Sequence, residues 1–124
     1  MPNTCYTYFK IIGHFDPDVI TERLSLQPFE TWRDGTSGQW CFGRCDSYSP
    51  YVEEQMRKTI APLLDKTNIL MQIRQEFNAV FFLEIVPTVY HDEPTPCLAP
   101  PPDIIDFCHE TRAEIDIDLY MGVD

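Results

Sequence analysis

Apolar residues recur along this chain with two periods, and the points where the period changes mark its elements. Cys5–Gly13 alternates loosely and is rich in Tyr, Phe and Ile, which predicts a strand. A helix start follows at once. Asp16 can cap, Pro17 has the fixed φ that suits the first helical position, and Asp18 complements the N-terminal dipole. Phe15 and Ile20 have the spacing of a hydrophobic staple, Val19, Ile20 and Leu24 form the stripe to be buried, and Pro28 keeps the helix short.

Thr31-Trp32-Arg33 then runs into Asp34-Gly35, and Gln39-Trp40-Cys41-Phe42 resumes after Gly38, the pattern of a hairpin or of a loop followed by a strand. Ser49-Pro50 announces a second helix, with Val52, Met56, Ile60, Leu63 and Leu64 at helical spacing and Glu53, Glu54, Arg57 and Lys58 on the other side. Pro62 should kink or restart it, and Thr67–Phe77 continues with Ile69, Leu70, Ile73 and Phe77 along one face. Ala79–Val86 is almost wholly apolar, as expected of a central strand with both faces largely covered. Six of the eleven prolines fall between Pro87 and Pro102, a long loop that resists regular pairing. Beyond it a last helix points Ile104, Ile105 and Cys108 inward, and Ala113, Ile115, Ile117 and Leu119 alternate with Glu114, Asp116 and Asp118 in a final strand over Glu114–Tyr120.

One phrase occurs twice: Pro17-Asp18-Val19-Ile20 opens the first helix and Pro102-Asp103-Ile104-Ile105 the last. Each copy follows a β-rich run and leads towards another. The chain of 124 residues is expected to form a single domain spanning 1–124. The element order predicts an α+β two-layer sandwich, a mixed β-sheet with helices packed mainly on one face, built from two βαβ-like halves. Independent use of the same helix-start chemistry would explain the repeat equally well.

The run Phe15-Asp16-Pro17-Asp18-Val19-Ile20-Thr21, Leu26-Gln27-Pro28 and Thr31-Trp32-Arg33-Asp34-Gly35, with the Glu53–Leu64 helix and the closing Ala113–Tyr120 segment, resembles a bacterial family of unknown function, DUF4279. The resemblance spans nearly the whole chain. It implies a cytosolic, single-domain α+β protein and brings no established activity, so no catalytic residue is carried over. The Cys41-Phe-Gly-Arg-Cys45 segment and the proline-rich loop depart from the family pattern.

Composition and charge narrow the classes of function. Apolar content of 44% and aromatic content of 13% suit a folded domain. The net charge of −11 is lopsided: residues 1–78 hold ten acids and eight bases, whereas residues 79–124 hold ten acids and Arg112 alone. Such a surface disfavours nucleic acid and anionic membranes, and suits either plain solvation or a basic protein partner. The longest apolar run, Ala79–Leu83, is far shorter than the ~20 residues of a membrane helix. The N-terminus has no basic and apolar leader, and five cysteines make an odd set, so reduced thiols in the cytoplasm are expected.

Two constellations could carry recognition. Trp32, Arg33, Asp34, Trp40 and Arg44 set two indoles and two guanidinium groups around a turn, where they could stack a planar ligand or hold a carboxylate or phosphate. Alternatively, both indoles cover the core and Arg33 pairs with a neighbouring acid. Glu114, Asp116 and Asp118 would share one strand face, as a seat for a basic partner or a divalent cation, or simply as a solvated edge. Cys41 and Cys45 are three residues apart, and Cys108 and His109 diverge on a helix, so no metal or cofactor is assigned. Nucleotide-binding, GxSxG and HExxH motifs are missing.

The leading expectation is a non-enzymatic protein-interaction module with an acidic face, an immunity-type protein that masks a basic toxin being one form. The alternative is a small-ligand-binding domain or weakly marked enzyme at Trp32, Arg33 and Trp40. A homodimer formed through an open sheet edge is a third.

Overall fold

The computed structural model describes residues 2–47 and 52–123. Strand β1 (Thr4–Gly13) leads to helix α1 (Pro17–Leu24), then to the hairpin β2 (Glu30–Asp34) and β3 (Ser37–Ser47). Helix α2 (Glu53–Ile60), a 3-10 turn at Ala61–Leu63 and helix α3 (Thr67–Glu76) precede β4 (Val80–Val89). After the proline-rich loop come α4 (Pro102–Thr111), β5 (Glu114–Ile117) and β6 (Tyr120–Met121). The helix start expected at Ser49-Pro50 lies outside the described residues; the helix is in place from Glu53.

The sheet runs β2-β3-β1-β4-β5, with β6 joined to β4 beyond the end of β5. β1 is antiparallel to both β3 and β4, whereas β5 and β6 run parallel to β4. The expected mixed sheet is therefore present. Its second half, β4-α4-β5, is a βαβ unit of neighbouring parallel strands. In the first half β2 runs in the same direction as β1 with β3 inserted between them. The repeated Pro-Asp phrase marks both crossover helices, with Pro17 and Pro102 each opening its helix.

All four helices lie on one face. Ile20 and Leu24 of α1, Met56 and Ile60 of α2, Leu70 and Ile73 of α3, and Ile104, Phe107 and Cys108 of α4 join one core. The sheet supplies Phe9, Ile11, Trp40, Phe81, Leu83 and Ile85 to it. Helical geometry corrects several expected core positions. Val19 and Ile105 are exposed, because the buried stripes follow Pro17/Ile20/Leu24 and Ile104/Phe107/Cys108/Thr111 at i, i+3, i+4 and i+7. Leu64, at the end of the 3-10 turn whose Leu63 is buried, is exposed as well. The closing strand is shorter than expected, since pairing stops at Ile117 and resumes at Tyr120, leaving Ile117 and Leu119 exposed. β4 is largely covered on both faces, as expected: on the side without helices Glu84 and Val86 are buried and Phe82 half-buried, with Val80 exposed at the strand's start.

A polar seam holds α2 against a bulge in β3. Gly43, at φ 73°, makes the β1–β3 register shift between Thr7 and Phe9. The buried Thr59 hydroxyl donates to the Gly43 carbonyl at 2.7 Å and lies 2.8 Å from the Thr7 hydroxyl. Gln55 Nε2 donates to the carbonyls of Cys5 (2.7 Å) and Cys45 (3.0 Å). Helix side chains thus take up carbonyls around the irregular strand, as buried backbone groups require.

Candidate functional site

The antiparallel and parallel registers decide what the helix-free face displays. One row across the sheet reads Glu30, Cys41, Lys10, Phe82, Glu114. The next holds Tyr8, Glu84 and Asp116, and a third Asp46, Tyr6 and Val86. Trp32, Gln39, Ile12 and Val80 form a row on the other side. At a strand spacing of about 4.8 Å, five strands make this face about 19 Å wide.

Aromatic side chains pave it. Tyr6 and Tyr8 stack with centroids 6.0 Å apart, and Phe29 meets Tyr8 edge-on at 5.5 Å. The Arg44 guanidinium lies 3.8 Å from the Tyr6 ring centre, with its Nε 3.0 Å from Asp46 Oδ1. Lys10 Nζ lies 4.9 Å from the Phe82 ring centre. Trp32 is 56% exposed beside a depression of about 310 Å³ that it lines with Glu30 and Gln39.

Glu84 is the unusual member. It faces the helix-free side, yet it is only 3% exposed. Lys10 Nζ is 3.2 Å from its Oε1, but off the direction of a hydrogen bond, so this oxygen has an ion-pair neighbour and no aligned donor among the described residues. Burial first, and the neighbouring Asp116 carboxyl second, raise the Glu84 carboxyl, Lys10 pulls it back, and the net result is a value of about 7. The carboxyl is therefore near half-protonation at neutral pH. Burial raises the neighbouring Tyr8 hydroxyl and the Cys41 thiol as well. All five cysteines are unbridged, and the Cys5 and Cys108 thiols are held up at about 11 by burial, which makes them inert rather than nucleophilic.

The residues singled out from the sequence divide between the two sides. Trp40 is fully buried on the helix face, stacked on Phe42 at 5.4 Å, and its Nε1 donates to Thr21 Oγ1 at 3.0 Å. Arg33 turns towards α1, where its Nη1 meets Asp16 Oδ2 at 2.8 Å. Asp34 is an exposed residue flanking the hairpin turn, in which Gly35 takes φ 59°. Trp32 and Trp40 occupy neighbouring strands with opposite orientation, so the five residues do not surround one ligand. Trp32 and Arg44 instead share the helix-free face with Glu114 and Asp116. Asp118 lies past the end of β5 and accepts a hydrogen bond from the Tyr120 hydroxyl at 3.0 Å.

Lys10, Glu84, Tyr6, Tyr8 and Phe82 belong to this face without being marked as site residues by the sequence pattern. A signal for two of them was present: Glu84 is the lone charge in Ala79–Val86, and Lys10 the lone charge in Cys5–Gly13. Among the described residues no group of three His, Cys, Asp or Glu side chains is placed to hold a metal ion. No described helix is long and apolar enough to cross a membrane. On the helix side, Met71, Ile105, His109, Arg112 and Ile115 border an open groove of about 790 Å³.

A family model described as a domain of unknown function, DUF4279, matches residues 3–122. The chain belongs to that family. No curated protein and no solved structure matches the chain. Membership of DUF4279 names no activity, so any role for this face rests on its geometry.

Proposed function

We propose that the helix-free face of the sheet is a docking surface for a basic segment of another protein. The observation that carries this reading is a five-strand face with no helix over it, paved by Tyr6, Tyr8, Phe82 and the exposed Trp32. Its carboxylates, Glu30, Asp46, Glu84, Glu114 and Asp116, outnumber its bases, Lys10 and Arg44. Aromatic anchors supply contact energy at interfaces, and the acidic excess steers a cationic partner while repelling a second copy of the same face. A toxin-masking immunity protein in the cytoplasm is one form this role would take.

The test is salt-graded capture from the source cell, comparing the wild-type chain with a Tyr8→Ala/Trp32→Ala double variant and with Glu110→Gln, which removes an acid from α4. A basic protein retained at low salt, lost with the double variant and kept by Glu110→Gln is the expected result. Equal capture by all three would show that binding does not use this face. The depression beside Trp32 supports a second reading, in which that indole stacks a small planar ligand. Quenching of Trp32 fluorescence by such a ligand, absent in Trp32→Phe, would favour it.

A further inference from the structure

Resting on that docking role, we infer that Glu84 and Asp116 form the seat for an arginine guanidinium of the partner, and that seating it expels a proton, so that docking tightens as pH rises. Three observations converge on this seat. Glu84 and Asp116 stand directly opposite each other on β4 and β5, facing the helix-free side. Glu84 is nine-tenths buried, yet its Oε1 has no aligned hydrogen-bond donor among the described residues. Tyr8 stands opposite Glu84, and Phe82 precedes it on the same face, aromatic surfaces of the kind a guanidinium plane stacks against.

The chemistry favours arginine over a compact ammonium. Two carboxyl groups side by side offer acceptors to the planar fork of a guanidinium, which donates in parallel from two nitrogens. Lys10 already supplies a point charge on one side of Glu84 without aligning a hydrogen bond. In the free protein the Asp116 carboxyl opposite Glu84 favours the protonated form of Glu84. A guanidinium placed there favours the ionised form, so the Glu84 proton leaves to solvent and both carboxylates accept from the incoming group.

The groups facing Glu84 are Tyr6, Tyr8 and Lys10 on β1, and Glu114 and Asp116 on β5. Cys41 and Glu30 lie beyond Lys10 on β3 and β2. Burial moves the Tyr8 hydroxyl and the Cys41 thiol up, away from neutral pH, and brings the Glu84 carboxyl to about 7.

The experiment titrates the chain with a nona-arginine peptide, and with nona-lysine for comparison, at fixed salt from pH 6 to pH 8. Calorimetry in two buffers of different ionisation enthalpy counts protons, and amide spectra locate the peptide. Nona-arginine is expected to perturb Tyr8 and Trp32, to release about half a proton at pH 7, and to gain roughly tenfold in affinity from pH 6 to pH 8. Nona-lysine should bind more weakly with the same sign of slope. Glu84→Gln should remove both slope and proton release; Asp116→Asn, at the exposed strand, should weaken binding in a chain with an unaltered spectrum; Glu110→Gln should keep the slope. Binding at the helix-free face with no pH slope, or with a slope that survives Glu84→Gln, overturns this inference and leaves the docking role standing. Peptide shifts confined to the helix side overturn both.

Discussion

Glu84 carries a cost for the fold. Its carboxyl ionises at about 7 in the folded chain against an ordinary value of 4.5, so between these pH values the native state binds more protons than the unfolded one. Stability on its account is therefore full below pH 4.5 and declines as pH rises through 7, by a total on the order of 3 kcal/mol. Glu84→Gln mimics the protonated form. Relative to wild type it should become progressively more stable from pH 4.5 to pH 8, as read by urea midpoints; a constant offset across that range would show that Glu84 titrates normally. The two tryptophans offer a second contrast at this scale. Trp40→Ala should cost about 3 to 5 kcal/mol, since it empties a buried site and leaves Thr21 without its donor. Trp32→Ala should stay within about 0.5 kcal/mol, and thermal melts would distinguish them.

Among the elements, the two Pro-Asp helix starts share a sequence but not a mechanism. Asp16 Oδ1 accepts from the Asp18 amide at 3.0 Å while Oδ2 holds Arg33, so one side chain caps α1 and ties down the β2–β3 hairpin. The residue preceding α4 is Pro101, which offers no side-chain cap. There Asp103 binds Arg57 of α2 through two contacts at 2.9 and 3.2 Å, and this pairing lowers the carboxyl's pKa. Asp16→Ala should therefore cost about 1 to 2 kcal/mol, and Asp103→Ala, which breaks an exposed pair, should cost less. Equal losses in chemical denaturation would mean that the cap is unimportant. Both helices end alike, at left-handed residues Ser25 and Arg112.

Across the molecule, the sheet has one face without helices and two open edges. All five residues of β2 are exposed at one edge, and β5 presents Glu114 and Asp116 at the other. Charged side chains on short edge strands discourage edge-to-edge pairing, and a net charge of −11 adds repulsion between copies. The chain is expected to sediment as a monomer at physiological salt. A dimer that strengthens with concentration and survives low salt would instead assign an edge to self-association.

The order of elements is legible in the sequence, because hydrophobic period and helix-start chemistry are local: Asp16-Pro17, Pro102-Asp103 and the Ala79–Val86 run can each be recognised within a few residues. The family, the mixed α+β plan and the acidic balance are legible there too. Which side chains share a surface depends on how the strands pair. Strand order and register are fixed by pairings between residues far apart in the chain, such as Tyr8 with Glu84 and Glu84 with Asp116. Those pairings separate Trp40 from Trp32, unite Trp32 and Arg44 with Glu114 and Asp116, and place Lys10 against a carboxyl that the local pattern marks only as a lone charge in an apolar strand.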